Sequence, residues 1–238
     1  MKRLKKIVRF LDNLTDKGMF LIFLLFFLIG MYALYDSYMV YKAANDESIL
    51  KYKPGYEKDA PEKEIKGNMV AWLTMDDTSI DYPIMQGEDN SEYLNKDPYG
   101  EYSLSGSIFL DSRNNSDFTD EYSLVYGHHM EHNAMFGALD KYLEEDYFDE
   151  HRTGTLYVGD ETYKIKLFAV LDCAATQGEI FAPTETSFEE TEKYIKEKAM
   201  YLDEGSWDKK ERLLAMSTCK YPDTADRTVV IGTITNEK

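Results

Sequence analysis

Cys173, Cys219, His128, His129, His132 and His151 are the only cysteines and histidines in this chain of 238 residues. Nucleophilic chemistry therefore depends on which cysteine can meet which histidine. Cys219 closes an apolar run, Leu213-Leu214-Ala215-Met216, after the small hydroxyl residues Ser217-Thr218. A polar stretch, 220–226, follows, and Arg227 opens the next apolar run. A hairpin with that stretch as its turn brings the guanidinium back beside the thiol. A fixed cation there favours the thiolate and can hold the oxyanion of a tetrahedral intermediate. The plain alternative is an ordinary hairpin carrying a surface arginine.

The imidazoles come from Leu124-Val125-Tyr126-Gly127-His128-His129, a short strand pattern that stops at a glycine. With an unperturbed pKa of about 6.5, a histidine suits proton transfer between an attacking thiol and a leaving amine. A metal site built on His128, His129 and His132 is the rival. Successive strand residues point to opposite faces and no HExxH or Cys/His ligand spacing occurs, so neither metal nor cofactor is expected. Cys173 ends an alternation that puts Tyr163, Ile165, Leu167, Ala169, Leu171 and Cys173 on one apolar face. It reads as a small buried hydrophobe. A disulfide between the two cysteines stays open at this point.

These residues must be held by a mainly β domain. From residue 67 onward, short runs rich in β-branched and aromatic residues alternate with Gly, Asn and Asp, predicting strands at 69–75, 79–85, 106–110, 123–126, 153–158, 162–173, 211–218 and 228–234. Strands at this spacing, with hairpin turns such as Gly159-Asp160, indicate a mostly antiparallel barrel or sandwich. Two helical patterns interrupt them. One covers 132–143, with Met135, Leu139 and Leu143 at four-residue spacing, and one covers 187–202, opened by a Ser187/Glu190 capping box.

The net charge of −17, from 27 basic and 44 acidic residues, argues against nucleic acid as a partner. The first 17 residues are the exception, with Lys2, Arg3, Lys5, Lys6, Arg9 and Lys17 against Asp12 and Asp16. Residues 18–34 then form an uncharged apolar run, about 26 Å long as a helix, flanked by Tyr32, Tyr35 and Tyr38. This predicts a cytoplasmic basic tail (1–17), a single transmembrane anchor (18–35), a helical or extended stalk (36–66) and an extracytoplasmic domain (67–238). A cleaved signal peptide is the alternative, but the run exceeds a signal core and no clear cleavage site follows.

Thr218-Cys219, Gly127-His128 and Arg227 together resemble the sortases of Gram-positive bacteria. IDYPIMQGEDNSEYL, GSIFLD, YGHHMEHNAMFGAL and STCKYPDTADR fall in the order expected of the class B branch, and the 187–202 helix resembles the extra helix of that class. The resemblance implies a closed β-barrel of about eight strands with peripheral helices, acting as a cysteine transpeptidase. The enzyme would cleave a C-terminal sorting motif of an exported protein after Thr and pass the acyl group through a thioester to an amine of a cell-wall precursor or a pilin. It implies Cys219 as nucleophile, His128 rather than His129 as acid/base, and Arg227 as oxyanion or substrate stabiliser. Asn90, Leu94, Ser217 and Thr218 are implied as substrate-groove residues.

Lys220 stands where some class B relatives have an acidic residue, so peptide preference there does not carry over. The chain reaches Lys238 without a second apolar span, and no inhibitory lid precedes the barrel, so the pilus-polymerising class C pattern is not expected. Two other readings use the same residues differently. A hydrolytic cysteine protease needs the same pair, but papain-like chains place the cysteine early and the histidine late. A stalked binding module would not need Cys219 at all.

Overall fold

The computed structural model describes residues 2–44, 46–56, 64–207, 210–219 and 226–236, with the side chains of Lys2, Glu47 and Cys219 outside that description. The chain forms two compact units, Met1–Lys42 and Ala43–Lys238. The first is most of helix α1 (Lys2–Ala44), which is long and apolar enough to cross a membrane. Its apolar side chains, among them Phe23, Phe26 and Leu34, are exposed. In water such a surface is unfavourable, and lipid is the solvent that suits it.

The second unit is built on strands β1 (Met69–Met75), β2 (Asp81–Met85), β3 (Ile108–Leu110), β4 (Tyr122–Tyr126), β5 (Thr153–Val158), β6 (Glu161–Ala174), β7 (Tyr201–Leu202), β8 (Arg212–Cys219) and β9 (Asp226–Asn236). Their order is β5-β1-β2-β3-β4-β8-β9-β6-β7, and β5 also pairs with β6. Eight strands thus close on themselves and only the two-residue β7 hangs on the outside. Closure leaves no barrel strand with an open edge. Most neighbours are antiparallel, but β2–β3 and β4–β8 are parallel.

Two layers of apolar side chains sit on the wall. Leu73, Ile84, Val125, Leu214, Met216 and Val230 fill the interior. Leu124, Ala215, Val229 and Ile231 face outward, beneath α3 (Gly178–Phe181), α4 (Phe188–Lys198) and Trp207. Being covered on both faces, β9 reads as the continuous run Thr228-Val-Val-Ile rather than as an alternation. α4 opens with the expected capping box: the Ser187 hydroxyl accepts from the Glu190 N–H, and the Glu190 carboxylate accepts from the Ser187 N–H. The chain ends that helix at Lys198 and uses Tyr201–Leu202 as β7 instead.

Two sequence expectations need correction. The 132–143 helix is two 3-10 turns, Glu131–Asn133 and Phe136–Leu143, because His132, Asn133 and Met135 have positive φ and break the run. The alternation along β6 fails at an irregularity between Leu167 and Ala169. Tyr163, Ile165 and Leu167 face the interior, while Ala169, Leu171 and Cys173 are switched to the outer face. Within the segment read as a helical or extended stalk (36–66), a 3-10 helix (Glu47–Tyr52) is capped by Asp46, and Lys53 pairs with Asp81 at 2.9 Å. A short helix α2 (Glu145–Glu150) completes the unit.

Candidate active site

The site follows from register. On β4, Tyr126 lies opposite Ser217 of parallel β8, and the Gly127 N–H donates to the Ser217 carbonyl at 3.1 Å. His128 is therefore delivered just past the end of β4, beside the end of β8. On the other side of β8, Cys219 stands opposite Arg227 at the start of β9. His128, Cys219 and Arg227 thus occupy the same end of three adjacent strands. The side chain of Cys219 lies outside the description, as do residues 220–225 of the expected turn. Gly127 is required by space: a Cβ there would lie 2.4 Å from Ile108 and 2.7 Å from Phe136.

Both ends of the His128 segment are fixed. The His128 carbonyl accepts from the Phe136 N–H at 3.1 Å, which folds the following loop back on itself. The ring Nε2 lies 2.6 Å from the Leu94 carbonyl. A carbonyl can only accept, so Nε2 carries the proton, and in a neutral ring Nδ1 then holds the lone pair. His129 is turned to the other side. Its Nε2 lies 2.7 Å from Asp140, on the 3-10 helix Phe136–Leu143 whose Phe136 and Leu139 belong to the interior layer.

Asp111, at the end of β3, organises the flank. Its carboxylate is fully buried and accepts from Arg113 Nε and Nη2 at 2.9 and 2.8 Å, Asn90 Nδ2 at 2.9 Å and the Tyr126 hydroxyl at 3.0 Å. Burial alone would push this carboxyl up, but the Arg113 and Asn90 hydrogen bonds carry it below the ordinary carboxylate range. Burial, followed by the Asp111 charge, pushes the Tyr126 phenol well up, so it stays a neutral donor. Arg113 also donates to the Phe181 carbonyl and to Glu185, tying β3 to the α3–α4 segment.

Asn90 is engaged at both ends of its amide, donating to Asp111 and accepting from the Ser112 N–H at 2.7 Å. Leu94 is 38% exposed beside His128. Ser217 and Thr218 are buried, and their hydroxyls have no hydrogen-bond partner among the described residues. The sequence alone does not single out the Asp111–Arg113 pair, although Asp111 directly follows the apolar Ile-Phe-Leu of β3 and Arg113 lies two residues further on. Arg227 also lies opposite Cys173 of β6. Cys219 and Cys173 are then two strands apart, about 9.6 Å by ordinary strand spacing, too far for a disulfide. Burial and the charges of Asp172 and Asp226 push the Cys173 thiol up to about 12, against a smaller opposing effect of Arg227. No group of three or more His, Cys, Asp or Glu able to hold a metal occurs among the described residues.

A closed eight-stranded barrel that brings a cysteine, a histidine and an arginine to one rim has close counterparts. The Sortase domain family model matches residues 73–235. The chain is 34% identical over 197 residues to Sortase B of Listeria monocytogenes, covering 76% of this chain and 80% of that protein. It is 29% identical over 180 residues to Sortase B of Staphylococcus aureus, covering 72% of each. A crystal structure of a Streptococcus pyogenes class B sortase involved in pilus biogenesis superposes with a TM-score of 0.66 at 37% identity, covering 82% of this chain and all of that one. The chain belongs to the sortase family, in its class B branch, and is a cysteine transpeptidase.

Proposed function

We propose that Cys219 is the nucleophile, His128 the proton-transfer group and Arg227 the stabiliser of developing negative charge, in an enzyme anchored by residues 18–35 with its barrel outside the cell. The observation that carries this is the register of β4, β8 and β9, which sets the three residues side by side at one rim. The Cys219 thiolate attacks the carbonyl carbon of the Thr in a C-terminal sorting motif, and the oxyanion forms beside Arg227. Collapse breaks the C–N bond, His128 protonates the departing amine, and a thioester remains. An incoming amine attacks that carbonyl, gives its proton to His128 and releases the Cys219 thiolate as the new amide forms. While Leu94 holds Nε2–H, Nδ1 is the atom that takes and returns the proton. Leu94 then borders the groove as an exposed side chain, while Asn90, through Asp111, and the buried Ser217 and Thr218 shape its wall.

The basic tail before the span supports a cytoplasmic N-terminus. An amine of a cell-wall precursor is the first choice of acceptor. A pilin lysine is the second, favoured by the 37% identity to the streptococcal enzyme described as taking part in pilus biogenesis. The test is ligation of sorting peptides to an amine by the full chain and by Cys219→Ala, His128→Ala, Arg227→Ala and Arg227→Lys, each checked for folding. The first three should lose at least about a hundredfold, and the lysine variant should also fall well below wild type, since an ammonium cannot reproduce a planar two-pronged donor. Near-normal ligation by a folded Arg227→Lys enzyme refutes the role given to Arg227.

A further inference from the structure

Asp140 joins two residues that are distant in sequence but adjacent to the proposed catalytic row. One carboxylate oxygen lies 2.7 Å from His129 Nε2, and the other accepts from the Thr228 hydroxyl at 3.4 Å. His129 directly follows His128, and Thr228 directly follows Arg227. We propose that Asp140 is a positioning residue that fixes, from the interior side of the wall, the spacing between the His128 and Arg227 strand ends across β8. This rests on the roles proposed for those two residues.

The backbone explains why such a clamp is needed. β4 and β9 are not neighbours, because β8 separates them. β4 ends at Tyr126, and the Gly127 N–H to Ser217 carbonyl bond anchors the chain to β8 just before His128. Beyond it the segment turns into a loop with left-handed residues His132, Asn133 and Met135. β9 begins at Asp226, so Arg227 is likewise at a strand end. Arg227 is paired to Cys219 and Cys173, and the His128 segment is held by the Gly127 and Phe136 N–H bonds, so each end is tied to its own neighbours but no ladder bond joins one to the other; misplacement of a reacting group by about 1 Å costs roughly a hundredfold in rate. Asp140 supplies a direct side-chain link between the two ends. It stands on a 3-10 helix seated in the core through Phe136 and Leu139, so the carboxylate is fixed to the barrel and not to a loop. Thr228 is fully buried, and Asp140 satisfies its hydroxyl.

The test compares full chains in detergent: wild type, Asp140→Ala, Asp140→Asn, Thr228→Val and, as a matched control, Tyr142→Phe. Tyr142 lies on the same 3-10 helix, and its hydroxyl donates to the His151 carbonyl at 3.0 Å, away from the strand ends. The readouts are kcat and KM for a sorting peptide, the pH profile of Cys219 alkylation, and Tm. Asp140→Ala should lower kcat about tenfold or more with KM within twofold, and should shift the alkylation midpoint upward as the cations lose their placement. Asp140→Asn and Thr228→Val should fall the same way by less, and Tyr142→Phe should lower only Tm. Asp140 variants that lose Tm like Tyr142→Phe but keep wild-type kcat and pH profile overturn the proposal. If Asp140→Ala does not fold, Asp140→Asn and Thr228→Val decide it by the same criteria. Wild-type ligation by Cys219→Ala or His128→Ala would instead remove the underlying site assignment, so the two failures are distinguishable.

Discussion

Arg113→Met should both destabilise the barrel and reverse the sign of part of its pH dependence. The Asp111 carboxylate is fully buried, and Arg113 is its one countercharge among the described residues, with a side chain about a third exposed. Breaking a buried pair from one side costs about 3–5 kcal/mol, and discounting for the exposure of Arg113 leaves about 2–3 kcal/mol. For a unit of this size that is a fall in Tm of roughly 5–10 °C at neutral pH. In the wild type the Asp111 pKa is lowered, so its contribution is present above the unfolded carboxylate value near 4 and is lost as pH falls through the lower folded value. Without Arg113, burial dominates and the folded pKa rises above the unfolded one. Ionising Asp111 then opposes folding, so the variant should gain stability relative to wild type as pH falls from about 7 to 5. Thermal unfolding of both chains across that range measures this directly. A constant difference in Tm over the range, or a loss under about 1 °C, refutes the description of Asp111 as a buried, Arg-stabilised carboxylate.

Other outcomes follow from the same contacts. Iodoacetamide at pH 8 should label Cys219 and leave Cys173 almost untouched, because a thiol pushed up to about 12 is only about one part in ten thousand thiolate there; rapid labelling of Cys173 in Cys219→Ala contradicts its burial. Gly137→Ala should lower Tm and depress ligation together, since a Cβ at that position falls 1.9 Å from the Met130 carbonyl in the loop that carries His128; an unchanged enzyme would mean this loop does not set the site. A chain starting at residue 36 should be folded and active, whereas one starting at residue 57 should melt several degrees lower for want of the Glu47–Tyr52 helix, Ala44 and the Lys53–Asp81 pair. Equal melting temperatures for the two would show that the segment adds nothing to the barrel.

Much of this arrangement is legible in the sequence because local chemistry and tertiary need agree there. β1 and β5 carry apolar and β-branched patterns that match their pairings residue for residue with the expected spans, and Ser187 caps α4 through the predicted box. Legibility fails where a long-range contact overrides the local pattern. The four-residue spacing of Met135, Leu139 and Leu143 suits an α-helix, yet positive φ at Met135 and the close approach of Gly137 to Met130 tighten the chain into 3-10 turns. The β6 irregularity changes which face Cys173 takes, and no residue at Leu167–Phe168 signals it. At the site, the end-of-strand positions of His128, Cys219 and Arg227 follow from their flanking runs. Asp111, Arg113 and Asp140 are not legible because a carboxylate or guanidinium in a loop or on a short helix normally reads as solvated surface, and only the fold shows what each one holds.

The central claim is that Cys219 carries the acyl group. The most direct measurement is intact mass of the full chain after incubation with NPxTx-, SPxTx- and LPxTG-type peptides, with and without a glycine or diamino-acid amine, followed by mapping of the modified residue. The account predicts a thioester adduct on Cys219 that is consumed by the amine to give ligated peptide. Hydrolysis without ligation under every amine, or a folded enzyme with an accessible thiol and no adduct at Cys219, would contradict it.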